Sequence, residues 1–346
     1  MSAFDIAGRP VGRGRTFLIA EVAQTHDGSL GLAHAFIDAA AAAGADAIKF
    51  QTHIAAAEST LDEEFRVKFS KQDVTRYDYW KRMEFTAPQW AGLSQHAAER
   101  NIVFLSSAFS LAAVDLLNGI GMAAWKVGSG EVNSTDLLRA MAATGKPVLI
   151  SSGMSTYDDL GVAVDLMRRA GAPVGVFQCT TKYPTPLAEV GLNVLEELGR
   201  RFGCPVGLSD HSGKPYPGLA AIVRGAAMVE VHFTLDRGLF GPDVPVSLTP
   251  AEIRLLAETR DAMVEMNAHP VDNDAMAKSL APMRALFNKS VAPAAALPKG
   301  TVLHAEHLTT KKPGTGIPAR DLDKIVGRRL KHAVQPDRLL RIEDLE

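Results

Sequence analysis

Eight short apolar runs recur along the first two-thirds of the chain, each closing on polar or small residues. They span residues 17–23, 47–51, 103–108, 123–129, 147–152, 174–180, 206–211 and 228–234. Between them lie stretches with helical spacing, among them residues 32–43, 89–100, 111–118, 136–143, 157–170 and 217–225. Strands that alternate with helices build a parallel sheet, and eight is the number at which such a sheet closes into a (β/α)8 TIM barrel. An open doubly wound sheet is the competing reading. It lacks its usual support here, because no glycine-rich dinucleotide-binding turn follows the first run.

Local signals agree with this segmentation. Ser134-Thr135-Asp136, Ser155-Thr156 and Thr249-Pro250-Ala251-Glu252 are helix starts, and Gly44, Gly145, Gly171 and Gly225 stand where helices should stop. The stretch from His53 to Trp90 is too long for a strand–helix link and rich in charge and aromatics (Phe65, Phe69, Tyr77, Tyr79, Trp80), which predicts an insertion at the catalytic face. Past residue 268 the pattern changes. The expected organisation is a barrel over residues 1–268, a polar linker over 269–286, and a small β-rich domain over 287–346, where Leu297-Pro298-Lys299-Gly300 and Lys312-Pro313-Gly314 are dense in turn formers.

Composition narrows the class. The 346 residues carry a formal net charge of -2, so no global field draws nucleic acid or an anionic membrane, and any anion must be held by a local site. Two cysteines, Cys179 and Cys204, lie in apolar surroundings and argue against a disulfide scaffold. No run is apolar for long enough to span a bilayer, and no signal peptide is evident, so a cytoplasmic location is expected.

In a barrel of this kind, polar residues at the C-terminal ends of the strands face the active site. Collected in order they are Glu21; Lys49 and Gln51; Ser106 and Ser107; Lys126, Ser129 and Glu131; Ser151 and Ser152; Thr180, Thr181 and Tyr183; Ser209, Asp210 and His211; Glu230 and His232. Two lysines inside apolar strands are the sharpest feature. A buried lysine is costly unless paired or facing a ligand, and two of them ringed by hydroxyls suit a small polyanion carrying phosphate and carboxylate. The alternatives are structural pairing of each lysine with an acid such as Asp46 or Glu21, or a Schiff-base lysine, which would leave the second one without a role. His211 and His232 end adjacent strands and could share one divalent ion, though a satisfied core histidine is the commoner occurrence; manganese, iron, cobalt and zinc all fit two nitrogens completed by water. Asp243, in Gly241-Pro242-Asp243, reads equally as a site carboxylate or as a turn residue.

Taken together, these segments resemble the sialic acid (N-acetylneuraminate) synthase family, including its legionaminic and pseudaminic acid synthase relatives. The resemblance rests on Ile19-Ala20-Glu21, His26-Asp27-Gly28, the run from Ala43 to Gln51, Lys126–Glu131, Ser151–Met154, Cys179–Pro186, Gly207–His211 and Glu230–Thr234, and on Lys312–Ile317 for the small antifreeze-like (SAF) domain. It implies a barrel that condenses phosphoenolpyruvate with N-acetylmannosamine or a related amino-sugar and releases phosphate. It implies a divalent ion, usually Mn2+, on His211 and His232. Phosphoenolpyruvate contacts then fall on Lys49, Ser107, Lys126, Ser129, Ser151, Thr181, Tyr183 and Ser209, and sugar contacts on Gln51, Glu131, Tyr183, Glu230, Asp243 and Lys312. Catalysis is assigned to Glu21, Lys49, Lys126 and Asp243, with Glu21 the acid/base near the donor's second carbon. The family's habit also implies a homodimer in which the small domains are exchanged.

The chain departs from that family where Thr181 stands for an asparagine, Ser107 for a threonine, Val231 for a basic residue, and Thr25-His26-Asp27 for Asn-His-Asn. Lys312 stands where the family has an arginine, and a lysine cannot make a planar bidentate contact. Other readings are a phosphoenolpyruvate-dependent synthase of seven- or eight-carbon sugar acids, a metal-dependent hydrolase, and a binding protein that kept the fold.

Overall fold

The computed structural model describes residues 3–346. It divides into two compact units, one ending at Ala268 and the other spanning His269–Glu346. In the first unit eight parallel strands close on themselves: β1 (Phe17–Ala23), β2 (Ala47–Thr52), β3 (Val103–Ala108), β4 (Trp125–Val127), β5 (Val148–Ser151), β6 (Val174–Cys179), β7 (Val206–Asp210) and β8 (Met228–His232), with β8 pairing β1. Each of the eight apolar runs became one strand: β1 and β3 keep the expected bounds, β2 runs one residue further, and the other five are trimmed. Helices follow the strands, as in Leu30–Ala42 after β1 and Leu111–Gly119 after β3.

These strands are buried along nearly their whole length, so the usual polar–apolar alternation is muted. It survives as a difference between the two faces. One parity, including Leu18, Ala20, Ile48 and Phe50, packs outward against the helices. The other parity points inward, and it changes character along the barrel axis. Near the strand starts it is apolar: Phe17, Ile19, Ala47, Val103, Leu105, Leu149, Phe177 and Met228 form one cluster. Gly207 makes that cluster possible, since a Cβ there would lie 2.8 Å from Phe177 and 2.5 Å from the Met228 carbonyl oxygen. Nearer the strand ends the same parity carries Glu21, Lys49, Gln51, Ser107, Lys126, Ser151, Cys179, Ser209, Glu230 and His232, and all ten line one cavity. The barrel is therefore closed below by apolar side chains and open above to chemistry.

A hairpin that sequence periodicity did not predict, Phe4–Ile6 paired with Arg9–Val11, adds Phe4, Ile6 and Val11 to the lower cluster. Asp46, considered above as a lysine partner, serves this lower end instead. It is held by Arg9 (3.1 Å), Arg15 (2.7 Å) and Arg260 (2.7 Å) and accepts from the Leu18 amide.

The second unit begins with helix, not with an open linker. Asn273–Ser279 and Ala281–Phe287 are short helices, the first capped by Asp272. Beyond them Ser290–Pro293 pairs antiparallel with Leu308–Lys311 around a core that includes Val291, Leu303, Ile317, Leu330, Val334 and Leu340. No helix among the described residues is long and apolar enough to cross a membrane.

Candidate active site

Register explains why the polar residues converge. Glu21 lies level with His232 on one side and Lys49 on the other; Gln51 is level with Ser107, Ser107 with Lys126, and Ser209 with both Glu230 and Cys179. The cavity they enclose measures about 350 Å³.

At its floor four charged groups form a chain of ion pairs. Lys49 Nζ lies 2.7 Å from Glu21 Oε2 and 3.8 Å from Glu230 Oε1, and it donates to Ser107 Oγ at 3.2 Å. Lys126 Nζ lies 3.2 Å from Glu230 Oε1 and donates to Ser151 Oγ at 2.7 Å. Ser209 Oγ donates to Glu230 Oε1 at 3.3 Å. The pairing of Lys49 with Glu21, one alternative read from the sequence, is thus present, but inside the cavity and with a hydroxyl on each lysine.

Burial and neighbours set the protonation states. Burial is the largest influence on Glu21; with Glu230 beside it and Lys49 opposing, the carboxyl rises to about 7. Burial works against the Lys49 charge, but Glu21 and Glu230 together hold its pKa above the ordinary value. Burial likewise opposes ionisation of Glu230, and the two lysines overcome it and hold the carboxylate below its ordinary range. Burial lowers His211 to about 4 and pushes His232 well down, so both imidazoles are neutral at physiological pH.

Those two rings have centroids 5.0 Å apart, and the Tyr183 ring lies 4.5 Å from His211 and 5.8 Å from His232. His232 Nδ1 is buried with no hydrogen-bond partner among the described residues. A neutral, unpartnered ring nitrogen beside a second neutral imidazole fits a divalent cation. The described residues hold no group of three histidine, cysteine or carboxylate ligands suited to a metal, so the remaining positions would go to water or substrate oxygen.

Ser129, Thr181 and Cys179 converge on one spot. A Cβ placed on Gly153 would lie 2.1 Å from Thr181 Oγ1, 2.5 Å from Ser129 Oγ and 3.0 Å from Cys179 Sγ. The missing side chain at Gly153 lets the backbone after β5 approach these groups, a role that sequence reading had not given it. Glu131 lines the cavity and accepts from Ser134 Oγ at 2.9 Å. Asp243 is buried and opens the 3-10 turn Val244–Val246; burial raises its pKa while Arg66 opposes the rise. Lys312 lies in the second unit, its Nζ 5.1 Å from the Phe287 ring centroid.

The His53–Trp90 stretch supplies cavity wall that the strand ends alone do not provide. Glu58, Glu63, Arg76 and Trp80 line the cavity with His53 and Phe109. Glu63 accepts from Trp80 Nε1 at 3.0 Å and pairs with Arg76 at 3.1 Å, and the Arg66 guanidinium lies 4.5 Å above the Tyr183 ring centroid.

The NeuB family model matches residues 36–270, and the SAF domain model matches residues 288–346. The chain belongs to the NeuB family. Within it, the chain is 32% identical to the N,N'-diacetyllegionaminic acid synthase of Campylobacter jejuni over 94% of its own length and 99% of that protein's. It is 31% identical to the human N-acetylneuraminate-9-phosphate synthase, over 93% of this chain and 90% of that one. The crystal structure of an N-acetylneuraminic acid (sialic acid) synthetase from Leptospira borgpetersenii, in complex with citrate, superposes with a TM-score of 0.71 at 27% identity, covering 82% of this chain and 96% of that one. The synthases of this family make sugar acids, and the chain shares their barrel and their SAF domain.

Proposed function

We propose that the protein condenses phosphoenolpyruvate with an open-chain amino-sugar aldehyde, N-acetylmannosamine or a relative, and releases phosphate. The observation that carries this reading is the cavity floor, where two lysines, each with its own serine hydroxyl, lie beside two neutral imidazoles. Lys49 with Ser107 and Lys126 with Ser151 provide two cationic hydrogen-bonding stations for the donor's phosphate and carboxylate. Ser129, Thr181 and Ser209 add hydroxyls around them.

The donor's third carbon attacks the acceptor carbonyl, positive charge develops on the second carbon, water adds there, and phosphate leaves. Lys49 and Lys126 hold the departing phosphate and stabilise its charge. Glu21, fixed by Lys49 and Gln51, exchanges the proton of the attacking water. Gln51, Glu131, Tyr183, Glu230 and Asp243 orient the sugar hydroxyls, and Lys312 takes the place of an arginine on the sugar's acyl-amide. A divalent ion, Mn2+ by preference, would be held by His211 and His232 and would supply Lewis-acid polarisation of the acceptor carbonyl. The reading extends to a homodimer with exchanged small domains.

The test is product mass. Incubated with phosphoenolpyruvate, Mn2+ and a panel of amino-sugars, the protein yields an acid equal to acceptor plus pyruvate for at least one of them. Products from phosphorylated tetrose or pentose alone would move it to the seven- or eight-carbon synthases.

A further inference from the structure

His53 lies within a hydrogen-bonded chain that ends on Glu21, and no assignment above gives the histidine a role. Its ring lies sandwiched between Trp80, with centroids 3.9 Å apart and planes 16° apart, and Phe109, at 4.5 Å and 6°. Both ring nitrogens are engaged. Nδ1 meets Glu58 Oε1 in a close contact, and Glu58 is itself fixed by the Ile54 amide, which donates to its Oε2 at 3.3 Å. Nε2 faces Gln51 Oε1 at 3.3 Å. An amide oxygen can only accept, so the nitrogen facing it carries hydrogen.

Gln51 Oε1 also accepts from Gln24 Nε2 at 3.2 Å. The Glu21 carboxylate, an acceptor at one end of the amide, and the Gln24 amide nitrogen, a donor at the other, assign which way it faces. Its nitrogen is turned the other way and donates to Glu21 Oε1 at 2.9 Å, while Lys49 holds Glu21 Oε2. The path therefore runs Glu58–His53–Gln51–Glu21. It begins in the His53–Trp90 insertion and ends on the carboxylate beside Lys49. His53 is buried, at 4% exposure, and Gln51 is half-buried in the cavity wall, so water competes little along it.

We propose that His53 is a positioning residue: through Gln51 it fixes the orientation of the Glu21 carboxylate, and so makes the geometry of the reacting centre depend on the folded insertion. This rests on the reading of Glu21 as the group that handles the water's proton. The aromatic sandwich holds the imidazole plane, Glu58 holds its far edge, and the near edge dictates the amide. Without that donor, the oxygen side of Gln51 is held by Gln24 alone, and the amide is freer to swing and loosen its bond to Glu21.

The prediction separates two edges of one ring. His53→Gln can place its amide nitrogen near the Nε2 position and keeps the bond to Gln51. His53→Asn reaches only the Nδ1 side and keeps Glu58 but loses Gln51. In the phosphate-release assay His53→Asn is expected to lower kcat roughly 10- to 100-fold, with KM for phosphoenolpyruvate within about 2-fold of wild type, because misdirection of one group leaves donor binding to the lysines. His53→Gln is expected to recover most of that loss. In a Gln51→Met background the His53→Asn loss should vanish, since the path is already cut.

Equal losses in His53→Asn and His53→Gln would overturn the proposal, and so would a His53→Asn loss of undiminished size in the Gln51→Met background. Thermal unfolding of wild type, His53→Asn, Gln51→Met and their double variant reads the coupling without turnover: the two single shifts should be non-additive, and additive shifts count against the path. A wild-type protein that makes no product with any amino-sugar would instead sink the synthase reading, while this unfolding cycle would still decide whether His53 and Gln51 act as a unit.

Discussion

Lys126→Met tests whether the floor of the cavity is one charge network. Lys126 Nζ stands 3.2 Å from Glu230 Oε1, and both side chains are 5% exposed. At that separation and an effective dielectric of about 20, the Coulomb attraction is about 5 kcal/mol, against which both ions lose hydration. Breaking such a pair by removing one partner typically costs about 3–5 kcal/mol, because the survivor is left buried and under-compensated. Glu21 shares Lys49 at 2.7 Å, but Glu230 would retain that lysine at 3.8 Å and is not left wholly unpaired, so the lower figure applies. About 3 kcal/mol lowers the barrel's unfolding midpoint by roughly 6 °C or more. Adding Glu230→Gln removes the stranded charge and should return most of that loss. The assay is thermal unfolding of the two single variants, the double variant and wild type. If the single losses simply add in the double variant, the two side chains do not form the pair described here.

Other consequences follow from neighbouring features. His26 is fully buried, its Nδ1 accepts from the Gly28 amide, and burial pushes its pKa down from 6.5 to about 3. A lowered folded-state pKa means that the contribution is complete above pH 6.5 and lost as pH falls toward 3. At pH 5 the loss from this residue is about 2 kcal/mol; His26→Asn should flatten the pH dependence of the unfolding midpoint between pH 7 and 5, and an unchanged slope would refute the assignment. Gly153→Ala drives a methyl into Thr181 and Ser129, and should raise KM for phosphoenolpyruvate at least 10-fold while the fold persists in circular dichroism; wild-type kinetics would show that this spot is not used by the donor. A dimer predicts a solution mass twice 37.0 kDa by light scattering, and a mass of one chain contradicts it.

Much of this architecture was legible because a barrel repeats one physical problem eight times. Each strand had to be apolar, short and followed by a helix, and Gly44 and Gly225, both left-handed at φ 85° and 78°, stop helices where the sequence pattern ends. The polar strand ends were legible for the same reason: a lysine at position 49 or 126 contradicts its apolar neighbours. Pairing was not legible, because it depends on register. Whether Lys49 meets Glu21 or Asp46 turns on which end of the strand each acid occupies, and Asp46 precedes β2 at the lower end, where three arginines hold it. The amino-terminal hairpin was missed because two three-residue strands carry too little periodicity. The stretch after Ala268 reads as linker because it is polar and turn-rich, and its two helices, seven residues each, are too short to impose a clear period. Gly153 could not have been found from sequence, since its significance lies in what a side chain would strike.

The central claim is that the two-lysine floor and the two histidines serve a single condensation. Phosphate release from phosphoenolpyruvate, followed continuously with and without an amino-sugar and with and without a divalent ion, tests it most directly. The account predicts release only when both are present, and its loss in His232→Ala protein that unfolds at the wild-type temperature. Release without sugar, or undiminished turnover in chelator, would contradict it.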